Sequence, residues 1–354
     1  MSGLEVARRF YAQAVAPLLD AVPHGAGLLG PGSEVLGYDD AVSADHDFGP
    51  RVQVFLSDPG DAEKAHAALA GLPAEFDGLP VVFGYGGGPP AHQVRVTTAA
   101  AFFRERLGTD PAGGLSLADW LLTPTQVLAS LTAGAVFADP DGTLARYRAA
   151  LRWYPDDVWR YALAAGWLRV AQEEAFVGRA GASGDDLGSR LLAARLSREL
   201  IRLTFLVERC WAPYPKWLGR SFAERRLAPR LRPLLAVATS AVRWQEREGA
   251  VAAAAGLVAA ATNELGLCPP LDPAPRRYFD RDLRVLGADR FTVALTDAIT
   301  DPPVRALLDR LGGRRGGPVA TLPGTVDQAV DSTDVLTHPA RCRAAAPMLG
   351  LTAH

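Results

Sequence analysis

The chain reads as an α+β protein: a mixed-sheet head over residues 1–115, an all-helical bundle over 116–311, and a mobile or weakly structured segment over 312–354. Three observations predict this. Strand-like and helix-like runs alternate up to about residue 115, as in a mixed α/β layer. All seven tryptophans (Trp120, Trp153, Trp159, Trp167, Trp211, Trp217 and Trp244) lie beyond that point. From there on apolar residues recur three and four apart, the period of helices in a bundle.

Taken in order, Leu4, Ala7, Phe10, Tyr11, Ala14 and Leu18 recur at helical spacing, which predicts an amphipathic helix over 4–22 packed on the sheet. Glu5, Arg8 and Arg9 stand where a secretory signal needs its apolar core, so no targeting segment is read here. A buried strand over 25–30 ends in a glycine-rich turn, and Ser33-Glu34-Val35-Leu36 has the makings of a helix start capped by Ser33. Strands follow over 51–57, 79–84 and 93–98, with helices over 61–70 and 99–107. The glycine-rich run 84–90 lacks the lysine and following helix of a P-loop and reads as a turn between strands.

In the bundle, runs such as 158–168 and 191–207 carry the helical period, and their tryptophans read as core because each buries so much surface. Two loops interrupt it. One is 178–186; the other is Cys210-Trp211-Ala212-Pro213-Tyr214-Pro215-Lys216-Trp217, which sets aromatics beside a lysine. The second loop is either a cleft loop or an aromatic-proline corner. The alanine-rich run 250–261 is too short to span a bilayer.

The chemistry concentrates between Gly32 and Asp47. A Gly32-Ser33 pair is followed by Asp45-His46-Asp47. On an extended strand alternate side chains share a face, so Asp45 and Asp47 can grip one hard cation with oxygen ligands while His46 points away. A glycine turn that opens a helix exposes backbone N–H groups, and those bind phosphate. Each pair alone occurs in ordinary turns; their order, spacing and strand context favour a nucleotide site.

Gly32, Ser33, Asp45 and Asp47 together resemble the signature of the polymerase-beta-type nucleotidyltransferase superfamily: strand, Gly-Ser turn, helical turn, then an Asp-x-Asp pair opening the next strand. The wider wording, through Asp45-His46-Asp47-Phe48-Gly49-Pro50-Arg51 and Trp153-Tyr154-Pro155-Asp156-Asp157-Val158-Trp159, looks like a bacterial family of uncharacterised nucleotidyltransferase-like proteins with a long helical region behind the head. The resemblance implies a polymerase-beta-like head and Mg²⁺ (or Mn²⁺) held by Asp45 and Asp47, which would carry catalysis. It also implies a nucleoside triphosphate (NTP) as substrate, bound by Gly32 and Ser33. Such enzymes bring a third carboxylate from a later strand; here Arg95 stands at the expected position, able to contact triphosphate but unable to act as base or bind metal. Two-domain members take an acceptor base from the helical side, which makes Glu174 the candidate here. Lys216, with Arg190 and Arg198, is a candidate for neutralising triphosphate charge.

Composition bounds the rest. A net charge of −2 argues against a nucleic-acid binder working by bulk positive charge, so of the possible acceptors, a small molecule, a protein side chain or an RNA end, the last is the least expected. Cys210, Cys268 and Cys342 form no metal-ligand spacing and fit reduced thiols of a cytoplasmic protein. A different class of function remains open: Arg95 suits a nucleotide-binding sensor or interaction protein that kept the phosphate grip and lost the base. In a third reading Asp45 and Asp47 merely cap a turn.

Overall fold

The computed structural model describes residues 2–40, 49–84, 87–313 and 321–351. It divides into two units. The first comprises residues 1–115, 125–152 and 338–340; the second comprises 116–124, 153–337 and 341–354.

The first unit opens with α1 (Gly3–Phe10), capped by the Ser2 side chain accepting from the Glu5 N–H. The predicted helix over 4–22 is in fact three pieces: α1, a π turn over Tyr11–Val15 and a 3-10 turn over Ala16–Leu19. Pro17 explains the break, since it has no N–H to give to the fourth residue back and its ring crowds that carbonyl. Then come β1 (His24–Leu28), β2 (Arg51–Leu56), α2 (Ala62–Leu69), a hairpin of β3 (Glu75–Phe76) and β4 (Leu79–Pro80), β5 (Val82–Phe83), β6 (Ala91–Thr97) and α3 (Ala99–Leu107). Asp77 and Gly78, both at positive φ, make the turn of that hairpin, a pairing favoured because both central residues must be left-handed. After α4 (Leu117–Leu122), which belongs to the second unit, the chain returns with α5 (Thr125–Thr132), β7 (Ala135–Ala138) and α6 (Thr143–Ala150).

The sheet order is β5-β6-β2-β1-β7. β2 and β6 run parallel, with Val52 beside Val94 and Gln53 beside Arg95, while the other pairs are antiparallel. The sheet is therefore mixed, as predicted. Its two faces follow from strand alternation. Val52, Val54 and Leu56, with Ala26 and Val94, pack against Phe10, Val15, Leu19, Ala65 and Leu69. Arg51, Gln53 and Phe55 take the other face, where Phe55 meets Phe102 of α3 edge-on at 5.1 Å. The fifth strand, β7, comes from beyond residue 115 and is too short and alanine-rich to announce itself in sequence.

The second unit holds α4, α7 (Asp156–Glu173), α8 (Phe176–Ala182), α9 (Asp186–Val207), α10 (Pro215–Ala223), α11 (Ala228–Ser240) and α12 (Trp244–Glu264). After a hairpin of β8 (Arg276–Tyr278) and β9 (Arg281–Val285) come α13 (Asp289–Asp297), α14 (Pro302–Arg310), α15 (Val326–Ala329), α16 (Thr333–Leu336) and, from Arg341 on, α17 (Pro339–Ala344). The hairpin corrects the expectation of an all-helical bundle.

Trp159, Tyr161, Leu163 and Trp167 of α7 are fully buried; Trp159 donates to the Leu206 carbonyl at 3.0 Å and Trp167 stacks on Phe291 at 5.1 Å. All seven tryptophans belong to this unit, five of them buried. Trp211 packs against Trp153 at 4.3 Å and Tyr154 at 4.6 Å, so the 210–217 loop forms an aromatic corner. Ala254, Ala255 and Ala259 of α12 are core residues, and among the described residues no helix is long and apolar enough to cross a membrane. In the tail, the helices α15 to α17 bury Val326, Leu336 and Cys342, and Arg343 reaches Asp119 at 2.6 Å. Helices of four to six residues are too short to show a periodic pattern, so the tail looked featureless in sequence.

Candidate functional site

In the first unit the chain leaves β1 through Gly30 and Gly32, whose φ of +93° and +139° suit glycine alone. Gln53 fixes the start of this turn: its side chain accepts from the Leu29 N–H at 2.8 Å and donates to the Leu29 carbonyl at 3.1 Å. Val35 anchors the far end, buried with Ala7 and Leu28.

The stretch 33–37 is a turn, not the helix start expected with Ser33 as cap. The Gly37 N–H donates to Glu34 at 3.2 Å and the Tyr38 N–H to Ser33 at 2.9 Å, while the Val35 carbonyl accepts from Gly134 at 2.8 Å. An α-helix needs that carbonyl for residue 39. Left-handed Gly37, at φ +74°, then turns the chain away.

Arg51, the first residue of β2, closes over this turn. Its guanidinium pairs with the Glu34 carboxylate, the two side chains being 9% and 13% exposed, and donates to the Pro31 carbonyl at 3.2 Å. A Cβ on Gly32 would lie 2.6 Å from both Arg51 Nη2 and Glu34 Oε2, so this glycine is required by space as well as by φ. In the sequence alone Arg51 is only the opening of a strand. A charged residue just after an acidic pair and Gly-Pro was the available signal, but nothing pointed to Glu34 as its partner.

Arg95 lies on the Gln53 face of β6, as the alternation predicts. It pairs with Glu105 of α3, and its guanidinium also sits 5.7 Å from the Phe102 ring. Arg95 holds the Glu105 carboxyl below its ordinary range, with Arg106 helping. Arg106 stacks on Phe102 at 3.7 Å and borders Gly30, where a Cβ would come within 3.1 Å of its Nε. The unit thus gathers Gly32, Ser33, Arg51 and Arg106 around the turn.

The second-unit candidates lie elsewhere in the chain. Glu174 ends α7 and is 7% exposed. Its Oε2 accepts from Leu286 at 2.7 Å, its Oε1 from Ala288 at 3.0 Å, and both share Gly287. Burial raises its pKa despite those three N–H donors. In the structure both oxygens fix the N-terminus of α13, a helix-end use of a carboxylate; the role of acceptor base is a proposal beside it. Lys216 sits on α10 with its ammonium 4.8 Å from the Trp217 ring. Arg190 pairs with Asp186 at 2.7 Å and Arg198 forks onto Asp331 at 2.8 and 3.0 Å; both are ordinary surface ion pairs.

Asp45 and Asp47 lie outside the described residues, between Asp40 and Gly49. Among the described residues no group of three His, Cys, Asp or Glu side chains is placed to hold a metal. Residues 120–218 match a domain of unknown function, DUF4037, a span that holds the Trp153–Trp159 wording and lies outside the Gly32–Asp47 segment. No curated protein and no solved structure matches the chain.

Proposed function

We propose that the protein is a Mg²⁺-dependent nucleotidyltransferase that moves a nucleoside monophosphate from an NTP to a small-molecule or protein acceptor. The observation that carries this reading is the Arg51 clamp. Asp47 precedes Arg51 by four residues, so it is tethered within about 14 Å of it at full extension. Arg51 itself grips Pro31 and Glu34, on either side of Gly32-Ser33. The Gly-Ser turn and the strand that follows the acidic pair are thus held together, as a triphosphate site needs.

In this reading Gly32 and Ser33 bind the phosphates through backbone N–H groups and a hydroxyl. Two carboxylates one residue apart form a hard oxygen donor set that suits Mg²⁺ or Mn²⁺. The metal, when bound, neutralises charge on the α-phosphate as pyrophosphate leaves. Arg95 and Arg106 add positive charge on the same side of the sheet.

A second reading is favoured by Arg95 itself. Standing where a third acid is expected, it suits a nucleotide sensor that binds without turnover. The deciding experiment measures pyrophosphate release for each NTP with Mg²⁺, alongside NTP binding by thermal shift. The enzyme reading expects release that falls more than about 100-fold in Asp45→Asn/Asp47→Asn. Binding without release across an acceptor panel selects the sensor, and neither binding nor release sinks both.

A further inference from the structure

The second unit carries a cavity of about 950 Å³ where α8, the first turns of α12 and β9 meet, lined by Arg179, Trp244, Glu248, Arg281, Asp282 and Arg284. It lies within the size range of small-molecule sites. Arg179, Arg281 and Arg284 are exposed, and among the described residues none of the three makes an ion pair, whereas Arg247 nearby is matched to Asp186 at 2.6 Å. Three guanidiniums against one exposed carboxylate, Asp282, leave the cavity in want of negative charge.

Glu248 is the second observation. It is 5% exposed, and its Oε1 has no hydrogen-bond partner. Burial pushes its carboxyl up to about 7, with Asp282 adding to the rise and the Arg284 N–H and charge opposing it. The packed elements define its surroundings. From α8 come Gly178, whose missing Cβ leaves room for the carboxylate, and Arg179, which lines the same cavity. On α9, Asp186 is taken by Arg247 and Arg190. Arg230 and Arg232 of α11 are exposed.

We propose that this cavity binds a small anion with two or more charges, a phosphorylated or polycarboxylated metabolite, through Arg179, Arg281 and Arg284, and that Glu248 takes up a proton as the anion binds. The forked guanidinium suits either oxyanion. An arriving anion disfavours the charged carboxylate beside it, so binding and protonation are linked. Below about pH 7 Glu248 is already neutral and binding is strongest; above it each binding event must draw a proton, and affinity falls by up to about tenfold per pH unit. The site is independent of the nucleotide reading.

The test is calorimetric titration of the full chain in EDTA with sulfate and, separately, malonate, at about pH 6.5 and about pH 8.5, both anions being dianionic at the higher value. At least one is expected to bind more than about fivefold tighter at the lower pH, with proton uptake visible as a buffer-dependent heat. Preference for sulfate marks a phosphate-type ligand, preference for malonate a carboxylate-type one. Arg281→Ala/Arg284→Ala, two exposed positions, should weaken binding at least about tenfold. Glu248→Gln should abolish the pH dependence and bind more tightly than wild type at the higher pH, a gain that misfolding cannot produce. Asp45→Asn/Asp47→Asn should leave all of this unchanged. No heat with either anion up to about 10 mM, binding indifferent to the arginine pair, or pH dependence surviving in Glu248→Gln would each overturn the proposal.

Discussion

Glu34 in the first unit and Glu174 in the second are both glutamates taken largely out of water, yet they are satisfied differently. Glu34 faces a guanidinium, which also holds the Pro31 carbonyl. Glu174 faces three consecutive backbone N–H groups. A cation and an anion side by side can exchange partners when a charged ligand arrives, whereas backbone donors at a helix start cannot leave without unwinding it. In the proposed function the first arrangement is where a phosphate would intervene; the second is a rivet.

That contrast breaks most readily at Arg51. Arg51→Ala strands the Glu34 carboxylate in a nearly closed site, and removing one partner of a buried pair costs about 3–5 kcal/mol. Urea unfolding should register the loss, while Glu34→Gln/Arg51→Met should recover a good part of it, because the penalty comes from the orphaned charge. A Glu34→Gln/Arg51→Met variant no more stable than Arg51→Ala would mean that the Pro31 contact, not the ion pair, holds the turn.

The rivet comes next in size. Glu174→Ala leaves the N–H groups of Leu286, Gly287 and Ala288 without their acceptor and should cost about 2–4 kcal/mol. Glu174→Gln, which keeps one acceptor oxygen, should cost less. Because burial raises the Glu174 pKa, its protonated form adds stability that is present below the ordinary carboxylate range and lost as pH rises through the folded-state value. Glu174→Ala should remove that pH dependence, checked by unfolding midpoints from about pH 4 to 8. Nucleotide turnover falling in Glu174→Gln without loss of stability would support its role as acceptor base.

Gly32 tests the first unit at smaller scale. Gly32→Ala at φ +139° meets both members of the Arg51–Glu34 pair at 2.6 Å, and the backbone strain alone is of order 1–3 kcal/mol. Thermal unfolding should fall accordingly. Gly37→Ala, at φ +74° with open space around it, should cost less, since it adds strain without the clash.

How far the sequence spoke depended on the range of the interaction. Period and alternation are local, so the α3 boundaries were readable, as was the alternation of β6 that puts Val94 and Arg95 on opposite faces. Pro17 was in plain view but its effect was outweighed by a strong helical period on either side. The 33–37 turn was misread because its decisive bond comes from Gly134, about a hundred residues away. The partners of Glu174 were hidden for the same reason: a Glu-Glu pair at the end of a helix carries no mark of N–H groups at 286–288. The glycines and the acidic pair stand out in sequence because they are contiguous, while the Arg51–Glu34 clamp is not.

The smallest expected effect falls on Arg95, the residue that divides the two functional readings. Its side chain is 40% exposed and that of Glu105 is 55% exposed, so their pair is solvated and Arg95→Ala should cost less than about 1 kcal/mol in urea unfolding. The strand itself is held by the backbone ladder to β2, which the substitution does not touch. Charge chemistry is the sharper readout. If Arg95 contributes to triphosphate binding, Arg95→Ala should weaken NTP affinity about three- to tenfold, with a shallower salt dependence because one cation no longer faces the phosphates. Affinity unchanged at every ionic strength would detach Arg95 from the site, leaving the turn and its Arg51 clamp as the first unit's whole claim on phosphate.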